Sequence, residues 1–403
     1  MKKIKRVLIS LSNKNNLKFL LRNLKKFKVE LISSGGTHKE IKKLGFKCEE
    51  VSKYTNSPEI LSGRVKTLHP KIHAGILSER KLKSHKNDLK KNNYSEIDLV
   101  IVNFYPFENI LLNKSNHNKI IENIDIGGPT LVRAAAKNYN DVVVICNPNQ
   151  YENLIAEINK NKGATSLDFR EKLAEDAFME TAYYESKIFN YFNQKSGNIF
   201  PIKNVFSGKI VEKTRYGENP HQKGAIYKEN NWNDIKQLSG KQMSYNNYND
   251  LYSALNIAKF LPNNKGVVIV KHANPCGVSA NSSKIKSFKE ALECDPISAY
   301  GGIIKCNFKL NANTAREISK IFFEIIIANG FDKKSLTILK KRKNLRIIDS
   351  SNLKEKKVDF VIEPYLRFKG LAGEQMTMFL YDPAGNALEF KSFKSDDEIF
   401  KST

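Results

Sequence analysis

The chain has 403 residues, of which 40% are hydrophobic and 10% aromatic. These values are typical of a folded protein with two or three domains and exclude a disordered chain. The formal net charge is +25, but the Lys excess is spread along the whole chain and no nucleic-acid-binding signature accompanies it. We therefore expect small anionic substrates rather than a nucleic-acid partner.

The Cys residues and the apolar runs predict the compartment. The five Cys residues show no paired spacing, which favours free thiols in a reducing compartment over a disulfide framework. The apolar run after the basic start is too short for a signal peptide, and nothing approaches the length of a membrane span. The sequence predicts a cytoplasmic protein without a membrane partner.

Short β-type runs alternate with helix-like stretches over the first third of the chain, which predicts a parallel α/β sheet. We expect strands at 7–10, 29–32, 99–102 and 142–145 and a helix at 17–27. The run at 99–102 is apolar throughout, as in a strand buried on both faces. Residues 149–195 are expected to be helical, with no strand among them.

Small polar residues follow the first two predicted strands. They are Ser12 and Lys14 after the first, and the run Ser34, Gly35, Gly36 and Thr37 after the second. Ligands of open α/β sheets bind beyond the carboxyl ends of strands, where helix N-termini present free N–H groups. Helix capping and a tight turn explain either loop alone. Both loops together with Arg64 and Lys66 predict a phosphate pocket.

The segment 63–75 concentrates basic groups. It contains, besides one hydroxyl at Thr67, the following side chains: Arg64, Lys66, His69, Lys71 and His73. Because Pro70 prevents a continuous helix, we expect a loop that directs these groups at one anion. A solvated basic turn is the alternative for this segment taken alone.

Two motifs further on add polar groups to the same sheet edge. Asn103 and Tyr105 follow the strand at 99–102, and Asp125 precedes a Gly-Gly helix start at Gly127. Lys137 lies about three turns into that helix. Asp125 could be only an N-cap, and Lys137 could belong only to a solvated face.

A second constellation follows a linker predicted at 196–207. Arg215 and Tyr216 lie in a turn, and a polar stretch that includes Asn247 leads to a helix start expected at Asp250. A buried strand at 267–270 ends in Lys271 and His272, and we expect the chain to leave the strand there, before Asn274-Pro275. Gly301 precedes another strand.

These motifs, in this order and at these spacings, resemble the AICAR transformylase/IMP cyclohydrolase family. Residues from about 6 to 195 are similar to its cyclohydrolase domain, with Asn13 where the family usually has Asp, and 208–357 are similar to its transformylase domain. The resemblance implies an α/β protein. Its domains would be a methylglyoxal-synthase-like parallel-sheet domain over 1–195 and a partial cytidine-deaminase-like α/β transformylase domain over 208–357.

The resemblance implies the last two steps of de novo purine biosynthesis. In the first, a formyl group passes from the co-substrate 10-formyltetrahydrofolate to AICAR and gives FAICAR. In the second, FAICAR closes to IMP with loss of water. No metal is implied: Pro275-Cys276 near His272 is similar to a zinc deaminase, but Ser279 occupies the position of the second Cys.

The resemblance also implies residue roles. Around ring closure, Asp125 would take the amide proton, Lys66 and Tyr105 would stabilise and protonate oxygen, and Lys137 would support the anion. In formyl transfer, His272 would be the base and Lys271 the oxyanion or proton partner. The implied substrate-binding residues are Ser12, Lys14, Ser34, Gly35, Gly36, Thr37, Arg64, Thr67, Asn103, Gly127, Arg215, Tyr216, Asn247 and Gly301.

The resemblance ends near residue 357, and the family's three C-terminal motifs are not found. Residues 358–403 are instead similar to the last hairpin of a glyoxalase (vicinal oxygen chelate) domain, where Glu389 matches a frequent metal ligand. Its partner ligands are missing, so we expect no metal there. We expect a truncated enzyme joined to a fragment of another gene, by natural fusion or by an error of gene reconstruction.

Truncation leaves several functions open. The bifunctional enzyme is the first, and a cyclohydrolase with an inactive transformylase domain is the alternative. An association-prone remnant and a basic nucleic-acid binder are weaker hypotheses. Members of the family are homodimers with transformylase sites at the subunit interface, and we expect both dimerisation and formyl transfer to suffer in this chain.

Overall fold

The computed structural model describes residues 1–113, 115–228 and 235–353, and the backbone of 360–367, 375–381 and 387–393. The chain divides into two compact units, Met1–Ser207 and Gly208–Thr403. The Glu389 side chain, at which we expect no metal, lies outside the described residues. The loops of the glyoxalase-like tail lie outside them as well.

The first unit alternates strands and helices. Its strands are β1 (Lys2–Lys3), β2 (Arg6–Leu11), β3 (Glu30–Ser33), β4 (Glu49–Glu50), β5 (Leu99–Asn103), β6 (Val143–Ile145) and β7 (Ala164–Thr165). Its helices are α1 (Leu17–Lys26), α2 (Gly35–Lys43), α3 (Val51–Thr55), α4 (Pro70–Leu77), α5 (Lys83–Lys91), α6 (Phe107–Leu112), α7 (His117–Glu122), α8 (Gly127–Lys137), α9 (Tyr151–Lys160) and α10 (Leu167–Ser196), with 3-10 turns at Leu61–Gly63 and Pro148–Gln150.

Five parallel strands form the sheet of the first unit, in the order β4-β3-β2-β5-β6. This confirms the predicted parallel α/β domain. The apolar runs of β2 and β5 are buried, and α1 buries four Leu side chains at helical spacing. Because all five strands run in one direction, the polar residues that follow β2, β3 and β5 meet at the same edge.

Two expectations for this unit are wrong in detail. Residues 149–195 do contain a strand, because β7 pairs with β1 at Lys2↔Thr165 and Lys3↔Ala164. A strand of two residues is too short to show a periodic pattern in the sequence, and its position is set by the tertiary contact with β1. Segment 63–75 is not a loop throughout, because α4 begins at Pro70, where a missing N–H costs a helix nothing.

The second unit is also α/β. Its strands are β8 (Lys209–Lys213), β9 (Ala225–Lys228), β10 (Lys236–Ser239), β11 (Gly266–Lys271), β12 (Asn274–Ala280), β13 (Ile303–Cys306), β14 (Ile325–Ala328), β15 (Arg346–Asp349), β16 (Phe360–Arg367), β17 (Gln375–Tyr381) and β18 (Ala387–Phe393). Its helices are α11 (Tyr245–Ala258), α12 (Lys284–Cys294), α13 (Pro296–Ala299), α14 (Ala312–Ile318) and α15 (Lys333–Leu339).

A mixed sheet organises this unit, in the order β10-β15-β14-β13-β11-β12. Strands β13, β14 and β15 are parallel, whereas the other neighbours are antiparallel. Alternate residues of the central strands enter two separate apolar cores, one on each face. Strands β16, β17 and β18 form an antiparallel sheet of their own.

One predicted helix start is wrong. Helix α11 begins at Tyr245, where Ser244 and Asn247 form a reciprocal capping box, so Asp250 lies inside the helix. Of the described helices, none has the length and apolarity needed to cross a membrane.

Candidate active site

A cavity of about 670 Å³ opens at the carboxyl edge of the parallel sheet in the first unit. This is the position and size expected of a small-molecule site in an open α/β fold. It is lined by most of the residues that the sequence predicted for this domain: Ser12, Lys14, Ser34, Gly35, Gly36, Thr37, Arg64, Lys66, Thr67, Asn103, Tyr105, Asp125 and Gly127.

The N-terminus of α2 faces this cavity and carries the features of an anion site. Ser34 precedes the helix without a side-chain capping bond, so the first N–H groups lack that partner. Gly35 has a φ of +51°, and Lys66 Nζ lies 3.1 Å from where its Cβ would stand. Lys14 Nζ lies 4.0 Å from the corresponding point on Gly36. Two ammonium groups thus reinforce the positive end of the helix dipole.

Two of the predicted substrate-binding residues hold the loops of the cavity together. The buried Thr37 hydroxyl accepts from Leu11 N at 2.9 Å and donates to Leu11 O at 3.0 Å. Asn103 accepts from Asn13 N at 2.8 Å and donates to Asn13 O at 2.9 Å. Both side chains therefore fasten the loop after β2 to its neighbours.

Acidic partners hold two of the cations in the basic segment. Arg64 pairs with Glu122, and this contact raises the pKa of the Arg64 guanidinium and lowers that of the Glu122 carboxyl. Lys66 Nζ lies 3.2 Å from Glu59 Oε2. At Gly63, where φ is +87°, a Cβ would stand only 2.6 Å from Lys66 Cε. The backbone of Gly63 therefore leaves room for the Lys66 side chain.

Other basic groups of the segment do not reach the cavity. Lys71 lies in α4, with its Nζ 4.7 Å from the ring centre of Tyr54. His69 caps α4, because its Nδ1 accepts from the Lys71 backbone N–H at 3.1 Å. The expectation that the whole segment faces one anion is therefore wrong, since the helix that starts at Pro70 turns its second half away.

Asp125 lies at the start of α8, beside Tyr105. Its Oδ1 accepts from Gly128 N at 2.8 Å, and a Cβ on Gly128 would stand 2.5 Å from Oδ2. Burial raises the pKa of the Asp125 carboxyl, whereas hydrogen bonds from the Gly128 and Tyr105 N–H groups partly oppose that shift. A half-buried carboxylate of this kind is suited to accept a proton.

Lys137 is the one predicted residue of this domain that does not line the cavity. It is exposed and is the last residue of α8. The helix has 11 residues, so its two ends are about 15 Å apart. The described chain therefore does not bring Lys137 to Asp125.

In the second unit, Lys271 and His272 lie at the tip of a hairpin. β11 ends at Lys271, and His272 and Ala273 have φ of 53° and 61°, the pattern of a two-residue type I′ turn. As expected, the chain leaves β11 after Lys271. Asn274-Pro275 does not end the sheet, however, because these residues begin the partner strand β12. Ala273 N donates to Asp250 Oδ1 at 2.6 Å.

The remaining predicted residues of this unit have varied surroundings. Lys271 Nζ donates to Tyr300 O at 2.9 Å, beside Gly301. The Arg215 guanidinium lies 5.0 Å from the ring centre of Tyr216. Asn247 is buried, and its amide donates to Glu324 Oε2 at 2.8 Å while its oxygen serves the cap of α11. The structure thus uses Asn247 as a local brace.

Sequence reasoning missed Glu59 and Glu122. Neither residue belongs to a recognised motif. Each is identified only by its contact, in the folded chain, with a cation that the sequence predicted. Across the described residues, His, Cys, Asp and Glu do not cluster in groups of three that could hold a metal ion.

Comparisons with known proteins match most of the chain. The family model described as AICARFT/IMPCHase bienzyme matches residues 135–369, and the MGS-like domain model matches 16–130. The bifunctional purine biosynthesis protein PurH of Bradyrhizobium diazoefficiens is 43% identical over 92% of this chain and 70% of its own length. The PurH proteins of Prochlorococcus marinus (45% identical, 85% of this chain, 68% of its own length) and Acetivibrio thermocellus (44%, 88% and 70%) are similar as well.

Among solved structures, ForH is similar over 47% of this chain and 97% of its own. The TM-score is 0.43 and the identity 26%.

Proposed function

The chain belongs to the AICARFT/IMPCHase bienzyme family of purine biosynthesis, and from this premise we propose that the cavity of the first unit closes FAICAR to IMP. The family's two activities are AICAR formyl transfer and IMP ring closure. The observation that carries the assignment is the cavity itself, where a helix N-terminus, three basic side chains and a half-buried carboxylate line one space.

The nucleotide's phosphate fits the positive end of the cavity. Lys14, Lys66 and the N–H groups at the start of α2 supply donors and positive charge there. Arg64 adds a guanidinium that matches phosphate geometry, once it exchanges Glu122 for the substrate. Thr37 and Asn103 act by holding the loops that carry these groups.

Ring closure forms one bond and breaks another. The carboxamide nitrogen of FAICAR attacks the formamido carbon and gives up one proton, and the carbonyl oxygen gains charge. This oxygen takes up that proton and the formamido N–H proton and leaves as water while the ring C=N bond forms. In our proposal Asp125 takes the amide proton, because burial makes its carboxylate a stronger base. Lys66 and Tyr105 stabilise and protonate the oxygen, and the cavity holds the two reacting groups at attack distance.

A matched pair of lysines tests this assignment. Lys66 lines the cavity, whereas Lys71 belongs to the same basic segment but contacts Tyr54. With FAICAR as substrate and IMP formation as readout, Lys66→Ala should lower kcat/KM at least 100-fold, as removal of an oxyanion donor does. Lys71→Ala should remain near wild type. Equal losses in both variants, or none in Lys66→Ala, would contradict the assignment.

For formyl transfer we propose the hairpin tip of the second unit, with 10-formyltetrahydrofolate as co-substrate and no metal. His272 is the base for the AICAR amine, and Lys271 steadies the developing charge. The positive φ of His272 and Ala273 supports this choice, because strained residues are concentrated at functional sites. Folate turnover with AICAR tests the activity, and His272→Ala should abolish it. Persistence of turnover in that variant would exclude His272 as the base.

The family resemblance implies homodimerisation, which we expect to be weaker in this chain than in the family. Sedimentation of the purified chain at several concentrations tests it directly. A single monomeric species at every concentration would exclude it.

A further inference from the structure

The loop that carries Asp125 is held by a residue from a distant helix. Tyr184 of α10 accepts a hydrogen bond from the Asp125 backbone N–H at 2.8 Å, and its hydroxyl lies 3.4 Å from Asn123 O, to which it donates. Tyr184 is only 7% exposed. One hydroxyl thus joins two points of the short segment between α7 and α8.

The ring of Tyr184 packs against residues on either side of Tyr105, the second group proposed to act in ring closure. Its centre lies 5.0 Å from that of Phe104 and 6.0 Å from that of Phe107, distances typical of favourable aromatic pairs. These two residues flank Tyr105, whose side chain lines the cavity. Tyr184 therefore contacts both sides of the Tyr105 turn while it bonds to the Asp125 backbone.

We propose that Tyr184 is a positioning residue for ring closure, which sets the Asp125 carboxylate and the Tyr105 turn in one geometry. This inference rests on the proposed function of the cavity. Burial raises the pKa of the Tyr184 phenol to about 12, so the hydroxyl keeps its proton and can donate to Asn123 while it accepts from Asp125.

Positioning matters here because Tyr184 joins the backbone of this segment to a helix outside it. The Asp125 carboxylate also accepts from Gly128 N at the start of α8 and from the Tyr105 N–H. The contact with α10 anchors the segment to a 30-residue helix that packs on the sheet domain. Displacement of a reacting group by about 1 Å can cost 100-fold in rate.

Tyr184→Phe tests the hydroxyl, because it keeps the ring and removes both hydrogen bonds. The matched control is Tyr191→Phe. Tyr191 also lies in α10, and its hydroxyl makes a 2.8 Å hydrogen bond to His117. This variant therefore removes a hydrogen bond that does not involve the Asp125 segment. We expect Tyr184→Phe to lower kcat for ring closure about 10- to 100-fold, with KM changed less than about twofold. Tyr191→Phe should retain wild-type kcat.

The pH profile separates positioning from general stability. A looser segment exposes the Asp125 carboxyl to water, which relieves the burial that raises its pKa. The acidic limb of the kcat profile should therefore move to lower pH in Tyr184→Phe and stay in place in Tyr191→Phe. The proposal would be overturned if Tyr184→Phe kept the wild-type kcat and the wild-type acidic limb, or if both variants lost kcat equally.

A second variant guards against misfolding of the first. Phe104→Leu leaves the Tyr184 hydroxyl in place and removes one of its ring contacts, so it should lower kcat several-fold at unchanged KM. An unchanged kcat in this variant would overturn the part of the proposal that concerns the ring. If the wild-type chain does not convert FAICAR to IMP, the proposed function fails; if it does, and Asp125→Asn is inactive while Tyr184→Phe is normal, only the positioning role fails.

Discussion

Asp125→Asn is the change that tests the chemistry most directly. The substitution preserves the size of the side chain, and the amide oxygen can still accept from Gly128 N, which lies 2.8 Å from Oδ1. Only the basic oxygen is lost. General-base removal typically costs 10²- to 10⁴-fold, so the barrier to ring closure should rise by about 3–5.5 kcal/mol. KM should change little, because the phosphate-binding groups are untouched.

The same variant should not lose stability at neutral pH. Burial holds the pKa of Asp125 above its ordinary value of 3.8, so the folded state binds this proton more tightly than the unfolded chain does. Ionisation of Asp125 therefore reduces the free energy of unfolding as pH rises from the unfolded to the folded pKa. Asp125→Asn escapes that cost, and its melting temperature at pH 7 should equal or exceed that of wild type.

Two measurements on the same preparations check this reasoning. FAICAR turnover between pH 5 and 9 gives kcat, and thermal unfolding over the same range gives the difference in melting temperature. The advantage of the variant should shrink as pH falls through the folded-state pKa of Asp125. A variant that keeps its activity would refute the role as a base. A variant that melts several degrees below wild type at pH 7 would refute the argument from burial.

Two other variants follow from the geometry around the cations. Gly63→Ala should cost about 1–2 kcal/mol of stability through its positive φ and also displace Lys66, so ring-closing kcat should fall at least tenfold. Gly45→Ala, at φ +83° with nothing within 4 Å of the new Cβ, should cost similar stability and no activity; equal kcat in the two proteins would contradict the steric argument. Glu122→Gln should free Arg64 for phosphate and lower the KM for FAICAR several-fold at low salt, with little change in melting temperature; an unchanged KM would show that the ion pair does not compete with substrate.

Much of the fold could be predicted because its signals are local. The strands of the first domain are short apolar runs, and a run such as Leu99–Val102 is recognisable since both of its faces are buried. Parallel strands then bring their carboxyl ends to one edge without further information. For this reason the sequence alone is enough to assign the loops that start at Ser12 and Ser34 to one pocket.

The errors arise where a local pattern has two outcomes. Pro70 indicates a break in helical structure, but proline is equally suited to the first position of a helix. The difference decides the fate of two similar side chains. Lys66 precedes the helix and lines the cavity, whereas Lys71 lies within it and contacts Tyr54.

Residues that support the site leave still less trace in the sequence. Tyr184 is 59 positions from Asp125 and belongs to a helix whose sequence resembles any other amphipathic helix. Its role depends on how α10 packs beside the segment between α7 and α8, which is a tertiary outcome. The groups proposed to touch the substrate have a chemical reason to be of a given type, whereas the groups that hold them need only a shape and one polar atom. Motifs therefore predict the first set, and only contacts reveal the second.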